Sequence, residues 1–131
     1  MLYLKKISKL KRSLVSPFLY FLLIPIFISD IFVEIYHHIC FPVYKIPLVK
    51  RKTYIKIDRH KLKYLTFPQK IGCVYCGYAN GVISYWADIA GKTEEFFCGI
   101  MHQSSKGFIP PQHHQNFASY NNQSEFKKKY L

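Results

Sequence analysis

Apolar and charged positions are spread unevenly along this chain. From Ser13 to Ser29 no residue is charged, and its centre, PFLYFLLIPIFI, is almost wholly apolar. The pattern predicts a hydrophobic helix, but those seventeen residues span only about 25 Å of helix, against a hydrocarbon core of about 30 Å. Continuing the helix to Tyr36 makes it long enough and places Asp30 and Glu34 inside it. Pro25 should kink it. No small-residue cleavage site follows, so the segment is expected to be retained rather than removed as a signal. Ahead of it, Tyr3, Ile7, Leu10 and Leu14 recur at helical spacing with lysines opposite. That reads as a basic amphipathic helix on an anionic membrane surface.

Beyond the apolar run, Pro42 and Pro47 end the helix near Phe41. Residues 53–58 (TYIKID) alternate and predict a short strand. Residues 60–72, with Pro68 and Gly72, read as a connector. Residues 80–96 place Val82, Trp86, Ile89 and Ala90 on one helical face, with Asn80 as N-cap and Gly91 weakening the helix. From Gln103 onward the chain is polar, carries a Pro pair and is expected to be mobile. The expectation is a mainly α protein with little strand. A hydrophobic and amphipathic membrane helix occupies 1–41, a small metal-knuckle region with a C-terminal helix occupies 42–102, and a polar tail occupies 103–131.

Composition sharpens this picture. Half of the 131 residues are apolar and 18% are aromatic, which excludes a disordered or collagen-like chain. The net charge of +12 calls for an anionic partner. Next to so apolar a run, anionic membrane lipid is the economical choice. Nucleic acid, through the basic stretch Lys50–Lys63 with Tyr54 and Tyr64, takes second place. A protein partner or a second copy of the chain also enters the expectation. Five basic residues precede the apolar run, and eight follow between Lys45 and Lys63 against one acid, Asp58. The positive-inside rule would keep both flanks in the cytoplasm. A monotopic helix on the cytoplasmic face satisfies that; a single-pass helix is the alternative.

The strongest chemical signal is Cys73-Val-Tyr-Cys76-Gly77 followed by Cys98-Gly-Ile-Met-His102. A CxxC at a tight turn aims two thiolates at one ion, and Cys98 and His102 stand at i and i+4. Together they could close a tetrahedral Cys3His site, zinc by default, with iron as the alternative. The competing readings are buried structural thiols and a redox dithiol. A structural metal would also support a region too small to hold a core alone.

A second signal lies in the apolar helix. Asp30, Glu34 and His37 fall within a narrow arc, and Glu34-Ile-Tyr-His37 is an ExxH. The stripe predicts either a second metal site, with His60 as a further ligand, or ion pairs with the Lys and Arg that follow. His113 and His114, in the polar tail, read as solvated.

The segments DIFVEIYHHICFP (30–42), IDRHKLKYL (57–65), CVYCGYANG (73–81) and TEEFFCGIMH (93–102) resemble a family of small, uncharacterised bacterial membrane-associated proteins. That family carries a CxYCGYANG knuckle and a downstream Cys-x3-His motif. Gly99 stands where the family often has Pro, and Met101 where it often has Lys. The resemblance implies a bacterial origin and the shared Cys/His constellation, but no reaction; with the apolar run and its basic flanks, the expected location is the cytoplasmic face of a bacterial inner membrane.

Three functions remain open from the residues alone. The first is a non-enzymatic, zinc-stabilised adaptor at the inner membrane. The second is a membrane metalloenzyme or iron electron-transfer protein using Asp30, Glu34 and His37. The third is a CxxC thiol oxidoreductase.

Overall fold

The computed structural model describes residues 7–131. The beginning of the basic arm, with Tyr3, Lys5 and Lys6, lies outside the described residues. The fold is mainly α. Its helices are α1 (Lys9–Phe21), α2 (Leu23–Tyr44), the single turn α3 (Arg51–Tyr54), α4 (Phe67–Phe97) and α5 (Gln123–Tyr130), with 3-10 turns at Arg59–Lys61 and Gln112–Asn116. Among the described residues the only β pairing is an isolated parallel bridge between Ile100 and Ala118. The described residues divide into two compact units that part between Ala87 and Asp88.

In the first unit, Ser8 caps α1 by accepting from the Lys11 amide at 3.3 Å. The expected kink appears as a break at Leu22. Pro25 has no amide hydrogen to donate to the Phe21 carbonyl, so the helical ladder is interrupted there. α2 runs three residues past the end expected at Phe41. It closes in a Schellman motif: Lys45 is left-handed (φ 58°), its amide donates to Pro42 O, and the Ile46 amide donates to Phe41 O at 2.9 Å.

Only one stripe of α1 and α2 is covered. Leu19, Leu23, Ile26, Asp30, His37 and Phe41 lie against the unit's interior, spaced three, four or seven apart. The remaining faces are exposed and apolar, with Phe18, Phe32 and Val43 each about two-thirds or more exposed. Within that stripe Asp30 and His37 are buried ionisable groups, while the outer surface of α2 is mostly Phe, Ile, Leu and Val. That is the reverse of a water-soluble helix. Lys9–Tyr44 is long and apolar enough to cross a membrane, and only 6% of its most apolar window is buried.

α4 supplies the opposing wall. Tyr75, Ala79 and Val82 pack with Ile26, backed by Leu23, Ile55 and Trp86. Only 60–66 of the connector expected at 60–72 is non-α; from Phe67 the chain runs on as one helix into the later one. Its start carries one half of a capping box: the Gln69 side chain accepts from the Thr66 amide at 2.9 Å, and the Lys70 amide donates to Thr66 O as the first helical bond. Pro68 sits in the first turn, where no amide hydrogen is needed.

The strand expected at 53–58 does not form. After α3 the chain is extended at Ile55 but crosses α4 instead of pairing. The crossing is backbone on backbone. A Cβ on Gly81 would lie 2.8 Å from Tyr54 O and 2.9 Å from Ile55 Cα, and one on Gly77 would lie 3.0 Å from Lys56 O. Glycine at these two positions is what admits the crossing.

The second unit contains the segment expected to be a mobile tail, and that segment is folded. Ala118 and Met101 exchange backbone bonds with Gly99 O and Ala118 O at 2.8 Å each. α5 is capped by Asn122, whose side chain accepts from the Glu125 amide, while Tyr130 donates to Gly99 O at 2.7 Å. Ile89, His114, Phe117 and Ala118 are buried, so the polar composition of the tail conceals a small core.

Candidate metal centre

Two clusters of ionisable side chains were assembled by the fold, one in each unit. The first occupies the buried stripe of α2. Arg51 donates to both carboxylate oxygens of Asp30, at 2.7 and 2.6 Å, and Tyr78 donates to Asp30 Oδ2 at 2.8 Å. One turn on, Tyr85 OH donates to Glu34 Oε1 at 2.6 Å and lies 3.0 Å from His37 Nδ1. The Val49 amide donates to His37 Nε2 at 3.0 Å. Arg51 also stands over the Tyr85 ring, 5.5 Å from its centroid.

Hydrogen-bond accounting determines what this cluster can do. An amide N–H can only donate, so His37 Nε2 is an acceptor and carries no proton. A neutral imidazole then carries its proton on Nδ1 and donates it to the Tyr85 oxygen, whose own proton goes to Glu34. Both His37 nitrogens are thereby committed, and Asp30 has both oxygens held by Arg51 and Tyr78. Glu34, His37 and His38 have ligating atoms within 4.8 Å of one another, yet His37 offers no lone pair in this arrangement. Of the two readings of the stripe, these contacts describe the ion-pair and hydrogen-bond network, with Arg51 of the following basic segment, while Glu34 and His37, with His38, also form a group that could hold a metal ion. His60 sits apart in its 3-10 turn.

The electrostatics agree. The Asp30 carboxylate raises the Arg51 guanidinium above its ordinary range. Burial, then the adjacent Asp30, pushes the Tyr78 phenol up to about 12. Burial, then Glu34, raises Tyr85 as well. All three groups are held in the protonated form that their bonds require.

The second cluster lies at the end of α4 and the 3-10 turn Gln112–Asn116. His113 Nε2 and His114 Nε2 both reach Glu94 Oε2, at 2.6 and 3.0 Å. The rings are fixed by packing. His113 lies over Gly91, where a Cβ would come within 3.1 Å of its Nδ1. His114 is buried and stacked on Phe117, with ring centroids 4.7 Å apart at 24°. Its Nδ1 is buried without a hydrogen-bond partner. The two imidazoles hold the Glu94 carboxyl below its usual range, His113 contributing more than His114.

Glu94, His113 and His114 form a group that could hold a metal ion, their ligating atoms lying within 4.8 Å of one another. Bonds of about 2.0–2.1 Å to tetrahedral zinc separate ligand atoms by about 3.3 Å, so an ion would replace the two N–H protons that now face Glu94 and part the His113 and His114 contacts by about 0.7 and 0.3 Å. The His-rich turn was read as solvated from its sequence; burial of His114 and the pairing with Glu94 correct that. The available signal was a carboxylate on a helix face beside a glycine, and it gains meaning only once the turn folds back.

The four residues expected to form a Cys3His site are placed differently from a knuckle. Cys73 and Cys76 stand mid-helix in α4, and Cys76 packs against the core. Cys98 is an exposed free thiol just past the helix, and His102 lies in the exposed loop that follows. Cys73 and Cys76 belong to the first unit, Cys98 and His102 to the second, with all of residues 77–97 helical between them. None of the four belongs to a group of three or more converging ligands among the described residues. In its own unit, His102 packs near the second cluster, its ring 5.5 Å from that of His114.

No family model, curated protein or solved structure matches this chain.

Proposed function

We propose that this is a membrane-attached, metal-binding protein that acts as a non-enzymatic adaptor. The apolar outer surface of α1 and α2 holds it to an anionic membrane. Both flanks of that segment are basic, which puts them on the cytoplasmic face, and the family resemblance points to a bacterial inner membrane. The second unit carries the ion, with Glu94, His113 and His114 as ligands. The observation that carries this reading is the convergence of two imidazole Nε2 atoms on one carboxylate oxygen. Zinc suits two imidazoles and a carboxylate, and iron(II) is the alternative for the same set. The ion would tie the short unit together and stabilise it.

Elemental analysis of the detergent-purified chain tests this. The expected result is about one zinc per chain, lost in Glu94→Gln and His114→Ala and kept in Cys73→Ser and Cys98→Ser. Metal that survives Glu94→Gln and leaves with Cys98→Ser would overturn the assignment in favour of the Cys/His set.

One observation favours a second reading, that of a metalloenzyme. Three protein ligands leave a coordination position open, as catalytic zinc sites do. His114 also lines a pocket of about 320 Å³ with Met101, His102, Ser105 and Phe108. Azide added to the cobalt-substituted protein would shift the visible spectrum if that position is open and leave it unchanged if it is closed.

A further inference from the structure

A groove in the first unit has no part in the metal reading. It runs along Tyr20, Leu23 and Phe27 on one side and Ile71 and Val74 of α4 on the other, with Ile57 joining from the basic segment. Its volume is about 600 Å³, inside the range of about 300–1,000 Å³ typical of ligand sites. The lining is almost entirely apolar.

Two observations identify the occupant. The groove opens onto the exposed apolar surface of α2, where Ile24, Phe27 and Ile28 are each about half exposed. An apolar chain can therefore enter sideways from hydrocarbon without crossing water. In addition, Ile57 brings cationic neighbours with it. Arg59 Nη2 lies 3.7 Å from the position of a Cβ on Gly77, one helical turn from Val74 in the groove wall. Lys56 is paired with Asp58 at 3.7 Å, whereas among the described residues Arg59 forms no salt bridge. An apolar slot with an exposed guanidinium beside it matches a lipid whose headgroup carries a net negative charge.

We infer that the groove seats one acyl chain of an anionic phospholipid, with the phosphate against Arg59. This rests on the membrane attachment proposed above. A chain bound in this way would be a fixed part of the first unit rather than an annular lipid.

Native mass spectrometry of the delipidated full-length chain in mild detergent tests it, with phosphatidylglycerol or phosphatidylcholine added. The expected result is one phosphatidylglycerol per chain, bound about fivefold or more tighter than phosphatidylcholine, the contribution of one cation near an anionic headgroup. Arg59→Gln should abolish the preference, and Val74→Trp, which fills the slot, should abolish binding of both lipids. Ile71→Trp serves the same purpose if Val74→Trp does not fold. Flotation on phosphatidylglycerol vesicles should persist in all three variants, because the outer apolar face is untouched. Equal affinity for the two lipids, lipid retained by the slot-filling variants, or a lipid-free dimer would overturn the groove assignment while flotation stands. Loss of flotation by the unsubstituted chain would overturn the membrane reading and this inference together.

Discussion

Replacing Arg51 with Met should expose how the first unit is held together. Asp30 is 6% exposed and takes two charge-assisted bonds from Arg51, at 2.7 and 2.6 Å, beside one from Tyr78. Met fills much of the arginine stem but leaves the carboxylate with the phenol alone. Breaking a fully buried pair in this way costs about 3–5 kcal/mol. The Arg51 side chain is 36% exposed, so water screens part of the interaction and can replace part of it. The expected loss is then about 2–3 kcal/mol. Removing both charges, in Asp30→Leu with Arg51→Met, should recover at least half of that, because no lone buried carboxylate remains. The assay is denaturant unfolding in mild detergent, followed by the fluorescence of Trp86, the single tryptophan of the chain. A single variant as stable as the unsubstituted protein would refute the argument. So would a double variant worse than the single one, which would mean that the pair itself contributes strongly.

Two further outcomes follow from the same packing. Gly81→Ala would place a methyl group against Tyr54 O and Ile55 Cα, both backbone atoms; it should cost about 1–3 kcal/mol in the same assay, whereas Ala at Gly107, which has open space around it but a φ of +84°, should cost only about 1 kcal/mol. The Tyr78 phenol, pushed from 10.0 up to about 12, stabilises the fold fully below pH 10. That contribution should fade as pH rises from 10 to 12, by at most about 2–3 kcal/mol, and an alkaline unfolding limb in Tyr78→Phe identical to that of the unsubstituted chain would contradict it.

Local signals in the sequence carried the first part of the fold well. The uncharged run and the break near Pro25 follow from neighbours within a turn or two, whereas the pairing of Asp30 with Arg51, 21 residues on, was legible only as a match of charge. α4 was harder. Pro68 and Gly72 look like breakers when taken singly, while Thr66 and Gln69 form the cap that starts the helix. Gly77 and Gly81 are there because another backbone crosses them, and no periodicity reveals a crossing. The CxxC was read as a turn because that spacing is best known at turns; in a helix the same spacing places Cys76 on the core. The Glu94 cluster was invisible for a different reason. His113 and His114 gain a partner only when the turn folds back on the end of α4, and tail composition gives no hint that Phe117 and Ala118 will be buried.

The crossing at Gly77 and Gly81 has an evolutionary consequence. The path of residues 54–56 is set by main-chain contact with α4, so the side chains of Lys56, Ile57 and Arg59 take little part in positioning that path. Those residues are free to drift in charge and size without disturbing the scaffold, while the two glycines are not. A lineage that moved to a membrane of different lipid composition could retune this loop one substitution at a time and keep the helices in place.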